Sequence, residues 1–246
     1  MTAPAALPVA SGPRPPDHRE RVAEMFGRIA RRYDLMNTLM TGGQDAAWRR
    51  RAVRAVRPAR AGRALDVGTG TGKLAAELAL AMPAGRVVGV DIAEPMLRRA
   101  PAPSFRPSGS GRVDLALADA LALPFADRAF DCATTAFTIR NVSDVGLAFA
   151  ELRRVVRPGG RVACLELTQP RVPLWGGVFG LLFRHAVPRI GSLVAGDPGA
   201  YTYLPESVAA FASPEAVAAE MRRAGFREVR WRRLGLGSVT LHVGTA

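Results

Sequence analysis

Three glycines at alternate positions, Gly68, Gly70 and Gly72, close the apolar run that opens RALDVGTGTGKLAAEL, Arg63 to Leu78. A carboxylate, Asp91, ends the next apolar run, RVVGVDI. An apolar run that enters closely spaced glycines and leaves as an Ala/Leu-rich stretch reads as strand, tight turn and helix. Such a unit binds nucleotide-like ligands. Glycine lets the backbone approach the ligand, the helix N-terminus offers free N–H groups, and a carboxylate some 20 residues on can grip ribose hydroxyls.

Spacing separates the candidate nucleotides. A dinucleotide fingerprint needs another glycine three positions after the second, where this chain has Lys73. A P-loop fails as well, because its first glycine falls on Val67 and its Ser/Thr on Leu74. The remaining D-x-G-x-G-x-G turn, Asp66 to Gly72, resembles the S-adenosylmethionine loop of Rossmann-like methyltransferases. A second marker, ALADALALPFADRAFDCATTAF (Ala116 to Phe137), puts Asp119-Ala120 at the end of a third apolar strand and Phe130-Asp131 at the start of a fourth. In that class an acidic or amide residue after strand three bonds the adenine amine, and strand four carries catalytic residues at its C-terminal end.

These residues need an alternating β/α frame to hold them. Strands are predicted at 63–68, 86–91, 112–118, 130–136, 161–167, 226–233 and 238–243, with helices between the first five. The fold class expected is α/β: a Rossmann-like, seven-stranded, mostly parallel sheet. Gly235-Leu236-Gly237 is too short for a parallel crossover, so the last strand runs antiparallel. Arg157-Pro158-Gly159-Gly160 ends the helix before strand five. Before the nucleotide unit, Val22, Phe26, Ile29, Tyr33, Met36 and Met40 recur at helical spacing, with an interruption expected near Tyr33-Asp34. Domain organisation follows as a Pro-rich disordered tail, 1–17, and a methyltransferase domain, 18–246, with an N-terminal helical region at 18–60. A lid insertion is expected at about 169–212. Its VPLWGGVFGLLF run is too short to span a bilayer and suits a greasy wall for a lipid-like substrate.

The chain of 246 residues is long enough for one α/β domain with a full core. The first 17 residues carry five prolines and lack the basic start and apolar core of a signal peptide, so a cytoplasmic protein is expected. Cys132 and Cys164 sit singly in apolar strands, and His18, His185 and His242 are far apart, so no metal site is expected. Net charge is +13, from 34 Lys+Arg against 21 Asp+Glu, and Lys73 is the only lysine. Arginines cluster at Arg28, Arg31 and Arg32, at Arg49 to Arg57, and at Arg222 to Arg233. Such charge fits nucleic acid or an anionic membrane surface, which makes an RNA methyltransferase the rival reading. No appended RNA-binding module is visible in the sequence.

The segments RRYDLMNTLMTGGQDAAWRR, LDVGTGTG, FTIRNVSD, RVVRPGGRVACLELTQP, VPRIGSLVAGDPGAYTYLPESV and SVTLHVG together resemble the menaquinone/ubiquinone biosynthesis C-methyltransferases, from about Arg21 to the end. The RNV element, Arg140 to Val142, and the Tyr-x-Tyr-Leu-x-Glu-Ser element, Tyr201 to Ser207, are specific to that family. The resemblance implies S-adenosylmethionine as cofactor, bound by Gly68, Thr71, Asp91, Asp119 and Ala120. It implies catalytic roles for Arg140 and Asn141 and places Tyr33, Asp34, His185 and Tyr201 on the substrate side. The family usually reads Ser-Phe-Gly-Leu-Arg-Asn-Val where this chain has Ala136-Phe137-Thr138-Ile139-Arg140-Asn141-Val142. A serine contact to the cofactor is therefore lost at 136, and a glycine is lost from the turn at 138.

The reaction implied is methylation of a ring carbon on a reduced polyprenyl quinone, with demethylmenaquinol favoured over the ubiquinone-pathway precursor. Arg140 is expected to stabilise the phenolate, since a guanidinium does not serve as base. A water held by Asp34, or His185, is the candidate base. The polyprenyl quinol implies peripheral contact with an anionic membrane, at the inner face of the cell membrane. Oligomeric state is left open.

Overall fold

The computed structural model describes residues 18–102, 104–170 and 198–246. The N-terminal tail and the VPLWGGVFGLLF run lie outside the described residues. Two helices, α1 (His18–Thr41) and α2 (Gln44–Val56), precede the sheet. The chain continues through β1 (Arg63–Val67), α3 (Lys73–Ala81), β2 (Arg86–Asp91), α4 (Glu94–Leu97), β3 (Ser104–Phe105) and β4 (Arg112–Leu117). It then forms β5 (Phe130–Ala136), α5 (Val145–Val155), β6 (Val156–Leu167), α6 (Pro198–Ala210), α7 (Pro214–Arg223), β7 (Arg227–Leu234) and β8 (Val239–Thr245).

The strands form one sheet in the order β3-β4-β2-β1-β5-β6-β8-β7. Pairing is parallel from β4 to β6, and β8 runs antiparallel to both β6 and β7. This is the expected seven-stranded frame with one addition. The two residues of β3 pair antiparallel to β4 at the edge, too short a strand to leave a periodic signature. Strand order reverses at β1, with β2 on one side and β5 on the other, so a crevice is expected at the C-terminal ends of these strands.

Each β1 residue from Ala64 to Val67 is buried because helices cover both faces. On one face Leu65, Val67, Phe130 and Phe149 pack with α5 and α7. On the other, Ala64, Leu78, Val87 and Trp48 pack with α2 and α3. Truncating a fully buried ring such as Phe149 to alanine costs about 3–5 kcal/mol.

Two sequence expectations resolve differently in detail. No break occurs at Tyr33-Asp34, and α1 is continuous. The Asp34 carboxylate accepts from the Thr71 hydroxyl at 3.0 Å, so it does not compete for its own helix backbone. The Arg157-Pro158-Gly159-Gly160 breaker does end α5, but ladder pairing has already started at Val156, with a register shift opposite Phe130 and Cys132. A Cβ at Gly160 would collide with the Asp131 carbonyl, which explains glycine in this irregular stretch.

Polar clamps fix the loops that flank the crevice. Arg154 on α5 donates to the carbonyls of Leu123 (2.9 Å) and Phe125 (2.7 Å) and pairs with Glu151 and Asp127, while Glu151 accepts from the Leu123 N–H. The Leu-Pro-Phe turn is thereby tied to α5. At the sheet edge Asp114 accepts from Arg86, Arg112 and Ser104. Burial raises the Asp114 carboxyl, but these hydrogen bonds outweigh it and hold the group at about 2.

His242 on β8 is buried, with Nε2 donating to the Pro214 carbonyl at 2.9 Å. Burial lowers its pKa to about 4, against that hydrogen bond and the charge of Glu215. Its stabilising contribution is present above the unfolded value near 6.5 and is lost as pH falls through about 4. Urea unfolding at pH 7.5 and 4.5 should therefore show the parent losing about 2–3 kcal/mol more than His242→Gln over that interval.

Candidate active site

The crevice is built on the turn that leaves β1. Gly68, Gly70 and Gly72 all have positive φ, at 69°, 58° and 83°, a region that favours glycine. Gly68 has a second requirement: a Cβ there would collide with the Thr138 side chain at the exit of β5. The Gly68 and Thr69 N–H groups donate to the Val90 carbonyl at 2.8 and 2.9 Å, which ties the turn to the end of β2. Beneath it, buried Asp66 accepts from Thr69 Oγ1 at 2.7 Å and Thr134 Oγ1 at 2.8 Å. Burial pushes the Asp66 carboxyl up to about 6, against the pull of those two hydroxyls.

Asp91 closes β2 with its carboxylate in the crevice. Oδ2 accepts from the Gly70 N–H at 2.8 Å and Oδ1 from the Ala93 N–H at 2.9 Å. Burial raises its pKa, and the backbone donors oppose the rise. Gly68, Gly70, Asp91, Asp119, Ala120 and Asn141 line one cleft, and Tyr33 and Arg19 reach it from α1. Asp119 accepts from the Leu121 N–H at 2.9 Å and from Arg19 at 3.0 Å, so the start of α1 lies across this end of the cleft.

Past β5, Phe137 takes a left-handed conformation (φ 59°) and a 3-10 turn, Ile139–Asn141, follows. Thr138, where the family usually has glycine, has a negative φ of −111°, and the positive φ lies on Phe137 before it. Thr138 Oγ1 faces the Ala136 carbonyl at 3.1 Å and lines the cleft. Asn141 Nδ2 donates to the Phe137 carbonyl at 3.1 Å, and its Oδ1 accepts from the Tyr203 hydroxyl at 3.2 Å. Arg140 is engaged with β6. Its guanidinium is buried with Glu166 on β6 at 2.8 Å and donates to the Phe137 carbonyl at 2.6 Å. Arg140 is not among the cleft-lining residues.

The structure thus brings Gly68, Asp91, Asp119, Ala120, Asn141 and Tyr33 to one cleft. Burial raises the Tyr33 phenol above its ordinary value, against a hydrogen bond with Asn37, so it stays protonated there. Thr71 and Asp34 meet each other beside the glycine turn, where Lys73 Nζ also approaches Asp34 at 3.3 Å. Tyr201 lies on α6, with its side chain outside the described atoms, and His185 is outside the described residues. Three residues escaped the sequence reading: Arg19, Glu166 and Tyr203. Glu166 had a signal, a lone carboxylate in the apolar strand VACLEL, since a charge so placed needs a buried partner. Tyr203 sits in the same Tyr-x-Tyr element as Tyr201.

Glycine turn, carboxylate-ended second strand and open cleft form a site for a nucleoside-bearing cofactor, and known proteins agree. The model of the ubiE/COQ5 methyltransferase family matches residues 16–246. A demethylmenaquinone methyltransferase of Roseiflexus castenholzii is 48% identical over 232 residues, covering 94% of this chain and 95% of that protein. Another from Thermus thermophilus is 46% identical, covering 89% and 99%. A ubiquinone/menaquinone biosynthesis C-methyltransferase of Syntrophotalea carbinolica is 46% identical, covering 89% and 92%. Among solved structures, an S-adenosylmethionine-dependent methyltransferase of Thermotoga maritima superposes with a TM-score of 0.62 at 21% identity, covering 90% of this chain and 98% of that one. That likeness shows the fold.

The buried carboxyl under the glycine turn sets a pH signature opposite to that of His242. Because Asp66 is raised in the fold, its stabilising contribution is present below the unfolded value near 4 and is lost as pH rises through about 6. Between pH 4 and 7 the parent should lose about 2–3 kcal/mol relative to Asp66→Asn, measured by urea unfolding of both proteins.

Proposed function

Because the chain belongs to the ubiE/COQ5 methyltransferase family, we propose that it methylates a ring carbon of demethylmenaquinol, with S-adenosylmethionine as donor. The observation that carries this reading is the near full-length match, at 44–48% identity, to relatives named demethylmenaquinone methyltransferase. The cleft fits the cofactor. Gly68 and Gly70 expose backbone with no side chain in the way, and Asp91 offers a carboxylate to ribose hydroxyls. Asp119 and Ala120 line the same cleft and are suited to hold the adenine. Thr71 contributes through Asp34, anchoring α1 to the glycine turn.

When bound, S-adenosylmethionine supplies a sulfonium-activated methyl group. The quinol supplies the nucleophile: loss of a hydroxyl proton places electron density on the neighbouring ring carbon, a carbon–carbon bond forms as the methyl–sulfur bond breaks, and loss of the ring proton restores aromaticity. The protein's share is chiefly positioning. Asn141 and protonated Tyr33 present polar groups to the cleft. Arg140, locked to Glu166, holds the Phe137 carbonyl and the 3-10 turn from behind, and so positions Asn141. In this reading Arg140 acts as a positioning residue, whereas the sequence led to the expectation of a direct phenolate contact.

The isoprenoid tail puts the substrate in a bilayer, so the reading includes peripheral contact with the inner face of the cell membrane. Among the described residues no helix is long and apolar enough to cross a membrane. With methyl-labelled cofactor, label should enter demethylmenaquinol kept reduced, and neither the oxidised quinone nor purified RNA. Label in RNA, or none in the quinol, would overturn the reading. In the same assay Asp91→Ala should weaken cofactor binding by at least about tenfold, from loss of charge-assisted hydrogen bonds.

A further inference from the structure

A groove over the edge of the sheet gathers five arginines, Arg54, Arg57, Arg161, Arg230 and Arg232. Strand register puts three of them on one face: Arg161 lies opposite Thr245, Arg230 opposite Val243 and Arg232 opposite Leu241, and these β8 residues form the groove floor. Helix α2 packs on part of the same face, and its C-terminal end brings Arg54 and Arg57 to the groove from the other side. Among the described residues, none that lines this groove lines the cleft.

The charge gathered there is not neutralised from within. Arg54, Arg57, Arg230 and Arg232 make no ion pair among the described residues, and Arg161 donates only to the Ala55 carbonyl, at 3.4 Å. The carboxylates on the surrounding elements are engaged elsewhere, Asp45 of α2 by Arg49 and Glu166 of β6 by Arg140, and β8 has none. Glu228 is the one carboxylate in the groove lining, where it accepts from the Thr245 hydroxyl at 3.3 Å. Arg161 is half-buried, so a guanidinium with most of its donors unsatisfied by the protein sits beside the floor. The C-terminal dipole of α2 accounts for Arg54 and Arg57 but not for the three arginines on strands. Backbone geometry is a second, independent sign. Arg57 and Glu228 are held at φ 49° and 50°, and Glu228 lies in a bulge between Arg227 and Arg230. Strained non-glycine residues and edge bulges accompany sites where side chains are re-aimed.

We propose that this groove is a binding site for a compact polyphosphate, a ligand that carries adjacent phosphoryl groups, with Arg161 beside the floor and Arg54, Arg57, Arg230 and Arg232 closing from the two walls. Size and charge select this class. From Leu241 to Thr245 the floor runs about 13 Å at the rise of an extended strand. Over that length an extended acidic peptide turns only alternate carboxylates toward the arginines, and a flat bilayer leaflet meets the rim and leaves Arg161 unanswered. Linked phosphoryl groups bring several negative charges into the same span, and arginine forks take phosphate oxygens in pairs. Trp231, although at the groove, packs against His242 and the α5/α7 core, so it offers no open ring for a nucleic-acid base. Arg57 precedes β1 and Arg161 lies early in the parallel run of β6, so the groove sits toward the strand ends opposite the cleft. The assignment is therefore independent of the quinol reading.

Calorimetric titration of the full chain at about 0.15 M salt tests this, with tripolyphosphate, orthophosphate, oligoglutamate and single-stranded RNA as probes and S-adenosylhomocysteine present to fill the cleft. Tripolyphosphate should bind the parent, and each of the other probes should bind at least tenfold more weakly. Arg161→Gln, and separately Arg230→Gln with Arg232→Gln, should weaken tripolyphosphate binding at least tenfold, whereas Arg106→Gln, at an exposed arginine outside the groove, should leave it unchanged. Arg230 and Arg232 are exposed on the edge strand, so their variant decides the matter should Arg161→Gln fail to fold. Tripolyphosphate should also raise the thermal midpoint of the parent and of Arg106→Gln, but not of the groove variants. Adenosine triphosphate identifies the source of the phosphoryl chain: tighter binding than tripolyphosphate assigns the site to nucleotides, equal or weaker binding to the phosphoryl chain by itself, and either supports the site. No binding of tripolyphosphate by the parent, equal loss in Arg106→Gln and the groove variants, or tighter binding of oligoglutamate or RNA would each overturn the proposal.

Discussion

The exits of β1 and β5 approach so closely that one of them has no room for a side chain. Gly68 leaves β1 at φ 69° directly against Thr138, and every other part of the cleft is arranged around that contact. The turn can bend this sharply because its N–H groups are taken up by the Val90 carbonyl, and Asp66 below it is satisfied by Thr69 and Thr134. On the β5 side the buried Arg140–Glu166 pair fixes the 3-10 turn from behind. Breaking such a pair from one side leaves an uncompensated buried charge and costs about 3–5 kcal/mol. The floor is therefore held before any ligand arrives, which is what positioning catalysis requires.

The N-terminal helix closes the remaining side. Arg19 meets Asp119 at one end, His18 meets the Asn141 carbonyl, and Asp34 meets Thr71 and Lys73 at the other end. These contacts are polar and partly exposed, hence individually weak, whereas the inner face of α1 is apolar. The cleft also inverts the charge of the chain. In a protein of net charge +13, Asp91 and Asp119 line the cleft, and the one arginine among the cleft-lining described residues, Arg19, is paired with Asp119.

Features set by local chemistry were legible in the sequence. The glycine turn, Asp91 at the end of β2, Asp119 after β4 and the antiparallel β8 each follow from a few adjacent residues, and each stands where the pattern put it. Features set by distant pairing were not. The pairing of Arg140 with Glu166 on the neighbouring strand has no local signature. The break anticipated at Asp34 vanishes because Thr71 takes the carboxylate, and the partner of Asn141 is Tyr203 on α6, 62 residues along the chain. A two-residue strand such as β3 has too little sequence to carry a period. The departure at 138 was visible, whereas the left-handed Phe137 beside it was not.

The close approach of Gly68 to Thr138 can be tested by calorimetric titration of S-adenosylmethionine into Gly68→Ala, with and without Thr138→Gly. If the two strand exits define the cofactor floor, Gly68→Ala weakens binding by about tenfold to a hundredfold, the scale of an overpacked methyl. Adding Thr138→Gly then restores part of it, the remainder reflecting the positive φ that alanine disfavours. Parental affinity in Gly68→Ala, or no recovery in the double variant, would contradict the account.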